Sequence, residues 1–468
     1  MDTCSSTEYR RPLRFFFFSF PAFGHMIPLI DIAKLFSRRR GVSCTFVATP
    51  GNEYAVRPAI EGSTVDLLLL PFPPEAAPGS GMGENLATVP RSQHGRLLSA
   101  LPALKDPFHD LLRAHRADCV VSDVHSSIMW IDDVALALGI PRILFVIVGV
   151  FPATVVETVA TLPGAHDESV ETLTIEEGIE LPKAELSTFL SNPEIIHAIE
   201  EAKRRCFGVV FNTFYELEGR YVDRYRTKPG CPRRTFCVSP VFLSKTTSAA
   251  AAAAANRGGK IDSAGEECLK WLDSVEAEGS VTYVCFGSEN EFGRQQLTSI
   301  ALGLEASGYP FVWVVKKSLA EDIAGWLPEG FEERMEGRGL IIKGWAPQVA
   351  ILNHRAVGAI VTHCGWNSTL EAISAGLPLA TWPLQCDQFV TEKYVTQVLR
   401  VGVSACRGAR LAEAVREVMG SGGAEMRQRV REYAAKAKEA VQEGGSSYKD
   451  VDNLIEEVGK YHAAGKQG

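Results

Sequence analysis

The chain lacks the features of several protein classes. It has 48 Lys plus Arg against 56 Asp plus Glu and a formal net charge of −8, so the basic surplus of a nucleic-acid surface is missing. No apolar run approaches the ~18 residues of a membrane helix. The absence of an HExxH or clustered His/Cys pattern predicts no metal site, and the absence of a GxSxG frame argues against an α/β-hydrolase.

Cysteine pairing patterns are also missing. The eleven cysteines are scattered without any CxxC pair, which predicts reduced thiols and a cytoplasmic protein. The basic and then apolar start of the chain is similar to a secretion signal. However, Pro21, Gly24 and His25 interrupt the apolar run at once. We therefore expect a buried first strand there and not a leader.

The length and the order of segments predict an α/β protein with two domains. A chain of 468 residues exceeds one ordinary core, so two domains of roughly 200 residues each are expected. Residues 244–260 contain seven consecutive alanines and no apolar face, which is typical of a linker. The predicted division is 1–243, 244–260 and 261–468, with the last helix packing back toward the N-terminal domain.

Short apolar strands alternate with helical segments in both halves, which predicts parallel sheets covered on both faces. A loop carrying Gly24 and His25 is expected before an amphipathic helix that starts at Ile27. The strands expected in the first half are Phe15–Phe20, Val42–Ala48, Val65–Leu70, Asp118–Ser122, Arg142–Ile147 and, closing the sheet, Gly208–Asn212. Those of the second half are Val281–Phe286, Pro310–Val315, Gly339–Ile342, Ala359–Thr362 and Leu379–Trp382. Ligands of such sheets bind beyond the carboxyl ends of the strands, so the cleft between the halves is the expected site.

Residues 345–388 concentrate groups that suit a nucleotide sugar. Trp345 could stack on a base or anchor the core. Asn367 and Ser368 open a helix whose N–H groups could bind phosphate, although both residue types are also ordinary N-caps. Glu371 lies on the same helix face as Asn367 and could bind a ribose diol, or it could be a surface carboxylate. Other candidates after strands are His363, the phosphate contact Ser288, and the acid–amide pair Asp387 and Gln388, which could bind a hexose or cap a helix.

In the first half, His25 and Asp123 both follow strands. Loops at one edge of a sheet lie close together, so the two side chains could form a His–Asp general base. Asp118 and Asp133 compete with Asp123 for this role, and His125 competes with His25.

Residues 345–388 resemble the 44-residue signature of plant family 1 UDP-sugar-dependent glycosyltransferases, from Trp345 to Gln388. The resemblance extends through FPAFGHMIPLIDIAKLF, VVSDVHSSIMWIDDVA and VTYVCFGS. It implies the GT-B fold, with two Rossmann-like domains facing each other across a cleft.

The resemblance also implies a role for each site residue. Trp345 would stack on uracil with Gln348 beside it, and Glu371 would bind the ribose. The diphosphate would be held by Ser288, His363, Asn367 and Ser368, with Trp366 beside the sugar. Asp387 and Gln388 would bind the hexose, and a terminal glutamine is typical of UDP-glucose. His25 would be the catalytic base and Asp123 its partner.

The implied activity is inverting, metal-independent transfer of glucose from UDP-glucose, without another cofactor, to a hydroxyl of a small lipophilic acceptor. Apolar candidates for the acceptor pocket favour a phenolic such as a flavonoid, although most of them could equally be core: Phe20, Phe23, Trp130, Phe145, Phe151 and Phe189. A terpenoid, hormone or xenobiotic acceptor stays open, as does transfer to C, N or S. A UDP-sugar epimerase and a non-catalytic nucleotide-sugar-binding protein are the alternatives from other classes. A monomer without nucleic-acid or membrane partners is expected.

Overall fold

The structure is a computed structural model. It describes residues 11–77, 83–186, 193–232, 234–243, 257, 263–288, 290, 292–385, 387–405 and 410–464. None of the helices in these ranges combines the length and apolar character that crossing a bilayer requires.

The first half contains a parallel seven-stranded sheet and a short antiparallel hairpin. Its strands are β1 (Leu13–Phe18), β2 (Val42–Ala48), β3 (Val65–Leu69), β4 (Cys119–Asp123), β5 (Arg142–Val146), β6 (Thr172–Thr174), β7 (Glu180–Pro182), β8 (Gly208–Phe211) and β9 (Thr235–Cys237). The sheet has the order β3-β2-β1-β4-β5-β8-β9, and β6 pairs with β7. Because β1 and β4 are neighbours, the residues that follow them meet at one edge.

The second half contains a parallel six-stranded sheet. Its strands are β10 (Val281–Cys285), β11 (Phe311–Val315), β12 (Gly339–Lys343), β13 (Val357–Thr362), β14 (Leu379–Thr381) and β15 (Gly402–Ser404). The order β12-β11-β10-β13-β14-β15 places the signature strands β13 and β14 side by side.

Helices connect the strands and cover both sheets. In the first half they are Phe23–Phe36, Glu53–Ile60, His94–Ala100, Lys105–Ala114, Ile131–Leu138, Val150–Thr158, Pro193–Arg205 and Tyr215–Thr227. In the second half they are Ser263–Ser274, Arg294–Ser307, Lys317–Ala320, Phe331–Arg334, Gln348–Leu352, Trp366–Ala375, Gln388–Lys393, Arg410–Met419, Ala424–Ala440 and Ser446–Ala464.

The four phenylalanines of β1 explain how the first sheet is covered. Side chains alternate along a strand, so Phe15 and Phe17 join one core cluster while Phe16 and Phe18 join another on the opposite face. All four are at most 2% exposed. A strand buried on both faces needs a continuous apolar run, which is what the sequence has here.

The helix Ser446–Ala464 packs against the first sheet, although it follows the second one in sequence. Its residues Val451, Leu454 and Val458 are fully buried in the same cluster as Phe15 and Phe17. Polar contacts reinforce the packing, since Asp450 accepts a hydrogen bond from the backbone N–H of Cys237 at 2.7 Å.

Two predictions about the first half were wrong. The three-residue strand β9 extends the sheet beyond β8, so Gly208–Phe211 does not close it. The first helix begins at Phe23 and not at Ile27, so His25 lies in its first turn. Pro28 lies inside this helix, where proline lacks the N–H that an interior helical residue donates to the carbonyl four residues earlier. The structure tolerates Pro28 because the carbonyl of Gly24 accepts a hydrogen bond from the Asn367 side chain at 2.8 Å instead.

Glu218 fixes the start of the helix Val150–Thr158. Its carboxylate is buried and accepts the backbone N–H groups of Val150 and Phe151 at 2.9 and 2.8 Å. Burial raises the pKa of Glu218 to about 7, against an ordinary value of 4.5, and the hydrogen bonds only partly oppose that shift.

This pKa predicts a pH-dependent stability. The folded state binds the Glu218 proton more tightly than the unfolded state, so stability is lost as the pH rises from about 4.5 to about 7 and is constant above. The shift corresponds to about 3 kcal/mol. We expect Glu218→Gln to remove this contribution, measured by urea unfolding at pH 5 and pH 8. The control is Glu216→Gln, an exposed carboxylate on the same helix. A wild-type pH dependence that survives in Glu218→Gln would contradict the assignment.

Candidate active site

The structure brings His25 and Asp123 together. The Nδ1 atom of His25 lies 2.9 Å from Oδ2 of Asp123. Asp123 ends β4 and is fully buried, whereas the His25 side chain keeps 17% of its surface exposed. A proton on Nδ1 that is donated to Asp123 makes Nε2 the basic nitrogen of the ring. The pair therefore has the arrangement of a general base.

Two further groups hold Asp123 in place. The hydroxyl of Ser19 donates to Oδ2 at 3.0 Å, and the backbone N–H of Phe20 donates to Oδ1 at 3.0 Å. Both donors come from the segment between β1 and the helix of His25. Ser19 was not predicted, and its only signal is its position directly after an apolar strand.

The residues that compete with His25 and Asp123 for the role of general base have other partners. Asp118 pairs with Arg11 through two hydrogen bonds of 2.7 Å. Asp133 pairs with Lys105 and Arg205 at the surface. His125 is near His25. However, its Nδ1 accepts the backbone N–H of Ser127 at 3.2 Å, whereas Nδ1 of His25 pairs with a carboxylate.

On the opposite side of the cleft, the helix Trp366–Ala375 begins directly after β13. Its N-cap is Gly365, so no side chain caps the first turn. Uncapped N–H groups at a helix start carry partial positive charge and bind phosphate oxygens.

His363 follows β13 and lies beside this helix start. Its side chain is packed between two glycines, since a Cβ on Gly287 or Gly365 would lie 2.8 or 2.4 Å from its ring. Burial lowers the pKa of His363 to about 4, so the ring is neutral at physiological pH. Its buried Nδ1 has no hydrogen-bond partner among the described residues.

Gln348, Ser368 and Glu371 form one hydrogen-bonded group. The amide nitrogen of Gln348 donates to the Ser368 hydroxyl at 3.0 Å and to Oε2 of Glu371 at 2.6 Å. The other oxygen of Glu371 accepts from Arg257, whose guanidinium also contacts Asp31 at 2.6 Å. Both carboxylate oxygens of Glu371 therefore have protein donors, and a ribose diol that bound here would replace at least one of them. Arg257 was not predicted because it lies in the segment assigned as a linker.

Trp345 and Ser288 lie in the same half of the chain as the helix Trp366–Ala375. Trp345 is half-buried, its ring centroid is 5.6 Å from that of Phe23, and its Nε1 has no partner within the described part of the chain. Ser288 is half-buried and follows Gly287, whose φ of +76° suits glycine.

Trp366 and Asn367 connect the two halves. The indole N–H of Trp366 donates to the backbone carbonyl of Asn212 at 2.6 Å. The Asn367 side chain accepts from the Asn212 amide at 2.9 Å and donates to the Gly24 carbonyl. These side chains thus position the start of the helix Trp366–Ala375 against the first half. Asn212 was missed because nothing in its local sequence points to a distant partner.

Asp387 and Gln388 begin the helix that follows β14. Burial raises the pKa of Asp387 to about 6, and a backbone hydrogen bond and the charge of His25 only partly oppose this shift. The Oε1 atom of Gln388 accepts the backbone N–H groups of Leu384 and Gln385, both at 3.0 Å. Its amide nitrogen remains for a ligand.

The aromatic candidates for the acceptor pocket separate into groups. Phe145 and Phe151 are fully buried in the core, and Phe189 lies outside the described residues. Phe20 and Phe23 flank the cleft with little exposed surface, and Trp130 packs against Phe18 and Phe108. A narrow cavity of only about 10 Å³ lies behind the segment that follows β1 and is lined by residues that include Ser19, Pro21, Phe72 and Leu101.

No group of three or more His, Cys, Asp or Glu residues within the described ranges could hold a metal ion. A His–Asp pair on one lobe and an uncapped helix start on the other suit a group transferase that acts on an anionic donor.

Comparisons with known proteins agree. The family model for UDP-glucoronosyl and UDP-glucosyl transferase matches residues 255–422. Scopoletin glucosyltransferase of Nicotiana tabacum is 39% identical over 97% of this chain and 99% of its own length. UDP-glucose flavonoid 3-O-glucosyltransferase 7 of Fragaria ananassa is 40% identical, covering 97% of each chain.

Solved structures agree as well. Glycyrrhiza uralensis UGT73P12, complexed with glycyrrhetinic acid 3-O-monoglucuronide, superposes with a TM-score of 0.85, 32% identity and 97% coverage of both chains. Medicago truncatula UGT71G1, complexed with UDP-glucose, has a TM-score of 0.77 and 25% identity, covering 96% of this chain and 98% of that one.

The chain belongs to the plant family 1 UDP-glycosyltransferases. The predicted membership, the GT-B fold and the enzyme class are confirmed.

The glycine beside His363 offers a test of the anion site. Gly287→Ala forces a left-handed φ on alanine and places its Cβ 2.8 Å from the His363 ring. We expect a stability loss of at least about 1 kcal/mol and roughly tenfold weaker binding of UDP, measured by urea unfolding and calorimetry. Gly308→Ala is the control, because its φ is +81° but no atom lies within 4 Å of the new Cβ. Equal UDP affinity in both variants would remove His363 from the site.

Proposed function

We propose that this protein is an inverting UDP-glucose-dependent glucosyltransferase that acts on a hydroxyl of a small phenolic acceptor. The observation that carries the proposal is the 2.9 Å contact between His25 and buried Asp123. The uncapped helix start at Trp366 lies beside the helix of His25, since Asn367 donates to the carbonyl of Gly24. One lobe thus offers a base, and the other a site for an anionic donor.

The reaction follows from this arrangement. Nε2 of His25 takes the proton of the acceptor hydroxyl, and Asp123 balances the imidazolium that forms. The acceptor oxygen attacks the anomeric carbon from the face opposite UDP, so the C–O bond to the diphosphate breaks and the configuration inverts from α to β. The helix start at Trp366 and the ring of His363 stabilise the negative charge on the leaving diphosphate.

The donor assignment is supported by the chemistry of the second lobe. Trp345 offers a flat surface beside the cleft, and the Glu371–Gln348 group offers oxygens and an amide for a ribose. The amide nitrogen of Gln388 and the carboxyl of Asp387 suit hexose hydroxyls. Glucose is proposed because the relatives above are named as glucosyltransferases and because UGT71G1 was solved with UDP-glucose.

The acceptor assignment is supported by the relatives. Scopoletin, flavonoid and anthocyanin appear in the names of similar proteins. A polycyclic acceptor is the second candidate, because UGT73P12 was solved with glycyrrhetinic acid 3-O-monoglucuronide. A mass-spectrometric screen of phenols and triterpenoids with UDP-glucose decides between them.

The proposed state is a cytoplasmic monomer. Free thiols among the described residues include Cys44, Cys119, Cys206, Cys231, Cys237, Cys268 and Cys285. Free thiols support a reducing compartment. Size-exclusion chromatography and cell fractionation test both points.

The base is tested by His25→Ala and Asp123→Asn. We expect His25→Ala to lower kcat by about 10³-fold because proton removal is lost, while calorimetry finds UDP binding nearly unchanged. Asp123→Asn should also lower kcat strongly, because the imidazolium loses its counter-charge. Asp118→Asn is the matched control. It removes the ion pair with Arg11 at the residue before β4 and should retain kcat. Substantial turnover by His25→Ala would contradict the assignment.

The donor contact is tested by Gln388→His. An imidazole cannot accept both backbone N–H groups that Oε1 of Gln388 accepts, so the loop before the helix should shift. We expect KM for UDP-glucose to rise about tenfold and the preference over UDP-galactose to weaken, with UDP affinity retained. The measurement is a competition assay with both donors, and an unchanged donor ratio would exclude this role.

A further inference from the structure

His125 remains unexplained by the proposed reaction. It lies two residues beyond Asp123 and its ring is half-buried. Its Nδ1 accepts the N–H of Ser127 at 3.2 Å, so the proton of the neutral ring is on Nε2. Burial and the nearby charge of His25 lower the pKa of His125 to about 4, so the ring is neutral at physiological pH. The ring therefore carries one N–H donor.

Phe20 fixes the position of this donor relative to the base. The His125 ring stacks on Phe20 with centroids 3.6 Å apart and an interplanar angle of 16°. The same Phe20 contacts His25 edge to face at 5.0 Å, and the centroids of the two imidazoles are 6.3 Å apart. No acceptor among the described residues pairs with Nε2 of His125, so its N–H remains for a ligand.

The separation of the two rings suits two oxygens of one small molecule. Hydrogen bonds of about 2.8 Å from each ring reach oxygens on neighbouring carbons when the rings are 6.3 Å apart. One oxygen would be the hydroxyl that His25 deprotonates. The other would accept from His125, because a neutral ring with a protonated Nε2 donates there.

We propose that His125 is a specificity-determining residue that donates a hydrogen bond to an acceptor oxygen on the carbon next to the reacting hydroxyl. The preferred acceptors are then phenols with an adjacent hydroxyl or methoxy group. This inference rests on the proposed function, since it takes His25 as the base.

Scopoletin and umbelliferone form a matched pair of probes, because scopoletin has a methoxy group beside its hydroxyl and umbelliferone lacks it. We expect the wild-type protein to prefer scopoletin by about fivefold to tenfold in kcat/KM, the effect of one hydrogen bond. The preference should come from KM, with kcat values within about twofold.

Three variants separate the hydrogen bond from the packing. His125→Asn retains an acceptor for Ser127 but has no donor at the Nε2 position, so it should lose the preference. His125→Gln places an amide N–H near that position and should restore most of it. His125→Phe retains the stacking on Phe20 without any N–H and should behave as His125→Asn. Turnover of umbelliferone should change little in all three.

Binding of both coumarins in the presence of UDP, measured by fluorescence, separates the two proposals. If His125→Asn binds scopoletin more weakly but binds umbelliferone as before, the inference is supported even when turnover is low. An equal loss for both coumarins, or no preference in the wild-type protein, would overturn it. Absence of any glucoside from any acceptor, with selective binding retained, would instead overturn the proposed reaction and leave the contact standing.

Discussion

The hydrogen bond between His25 and Asp123 depends on two neighbouring strands ending at the same level. Asp123 is the last residue of β4, and β1 pairs with β4 in register from Phe15–Cys119 to Phe18–Ser122. The segment after β1 then supplies the N–H of Phe20 and the hydroxyl of Ser19 to the same carboxylate. A fully buried carboxylate needs such donors because burial of an unpaired charge is costly. The strand pairing therefore determines both the hydrogen bonds that stabilise buried Asp123 and the orientation of the His25 ring.

The second constraint is the contact between the lobes. Asn212, directly after β8, holds both Trp366 and Asn367, and the carbonyl that Pro28 leaves without its helical donor accepts from Asn367. The helix that would bind phosphate thus supplies the hydrogen bond that a carbonyl in the helix of His25 lacks. This contact links the position of the base to that of the anion site.

Much of the fold could be predicted because buried parallel strands have continuous apolar sequences. Strands such as β1, β4 and β13 differ from their predicted bounds by only a few residues. Short edge strands such as β9 have too few residues for a pattern and depend on pairing with β8. The helix of His25 was placed too late because its compensation for Pro28 comes from a residue over 300 positions away.

The site could be predicted in its residue types but not in its contacts. Local sequence indicates a donor at Gln348 and a carboxylate at Glu371, but their hydrogen bond and the contact with Arg257 arise only in the folded chain. The same holds for His125, whose distinction from His25 depends on which nitrogen meets the backbone of Ser127. Long-range partners decide these roles, and one sequence carries no record of them.

The position of the helix Ser446–Ala464 has a consequence for biosynthesis. Val451, Leu454 and Val458 complete the apolar cluster on one face of the first sheet, where their helix contacts β9, so a nascent chain that stops short of them leaves apolar surface of this cluster open to water. Exposed apolar surface of this kind promotes aggregation and recruits chaperones. The lobe that emerges first from the ribosome therefore completes this apolar cluster only after the lobe that emerges second has been translated.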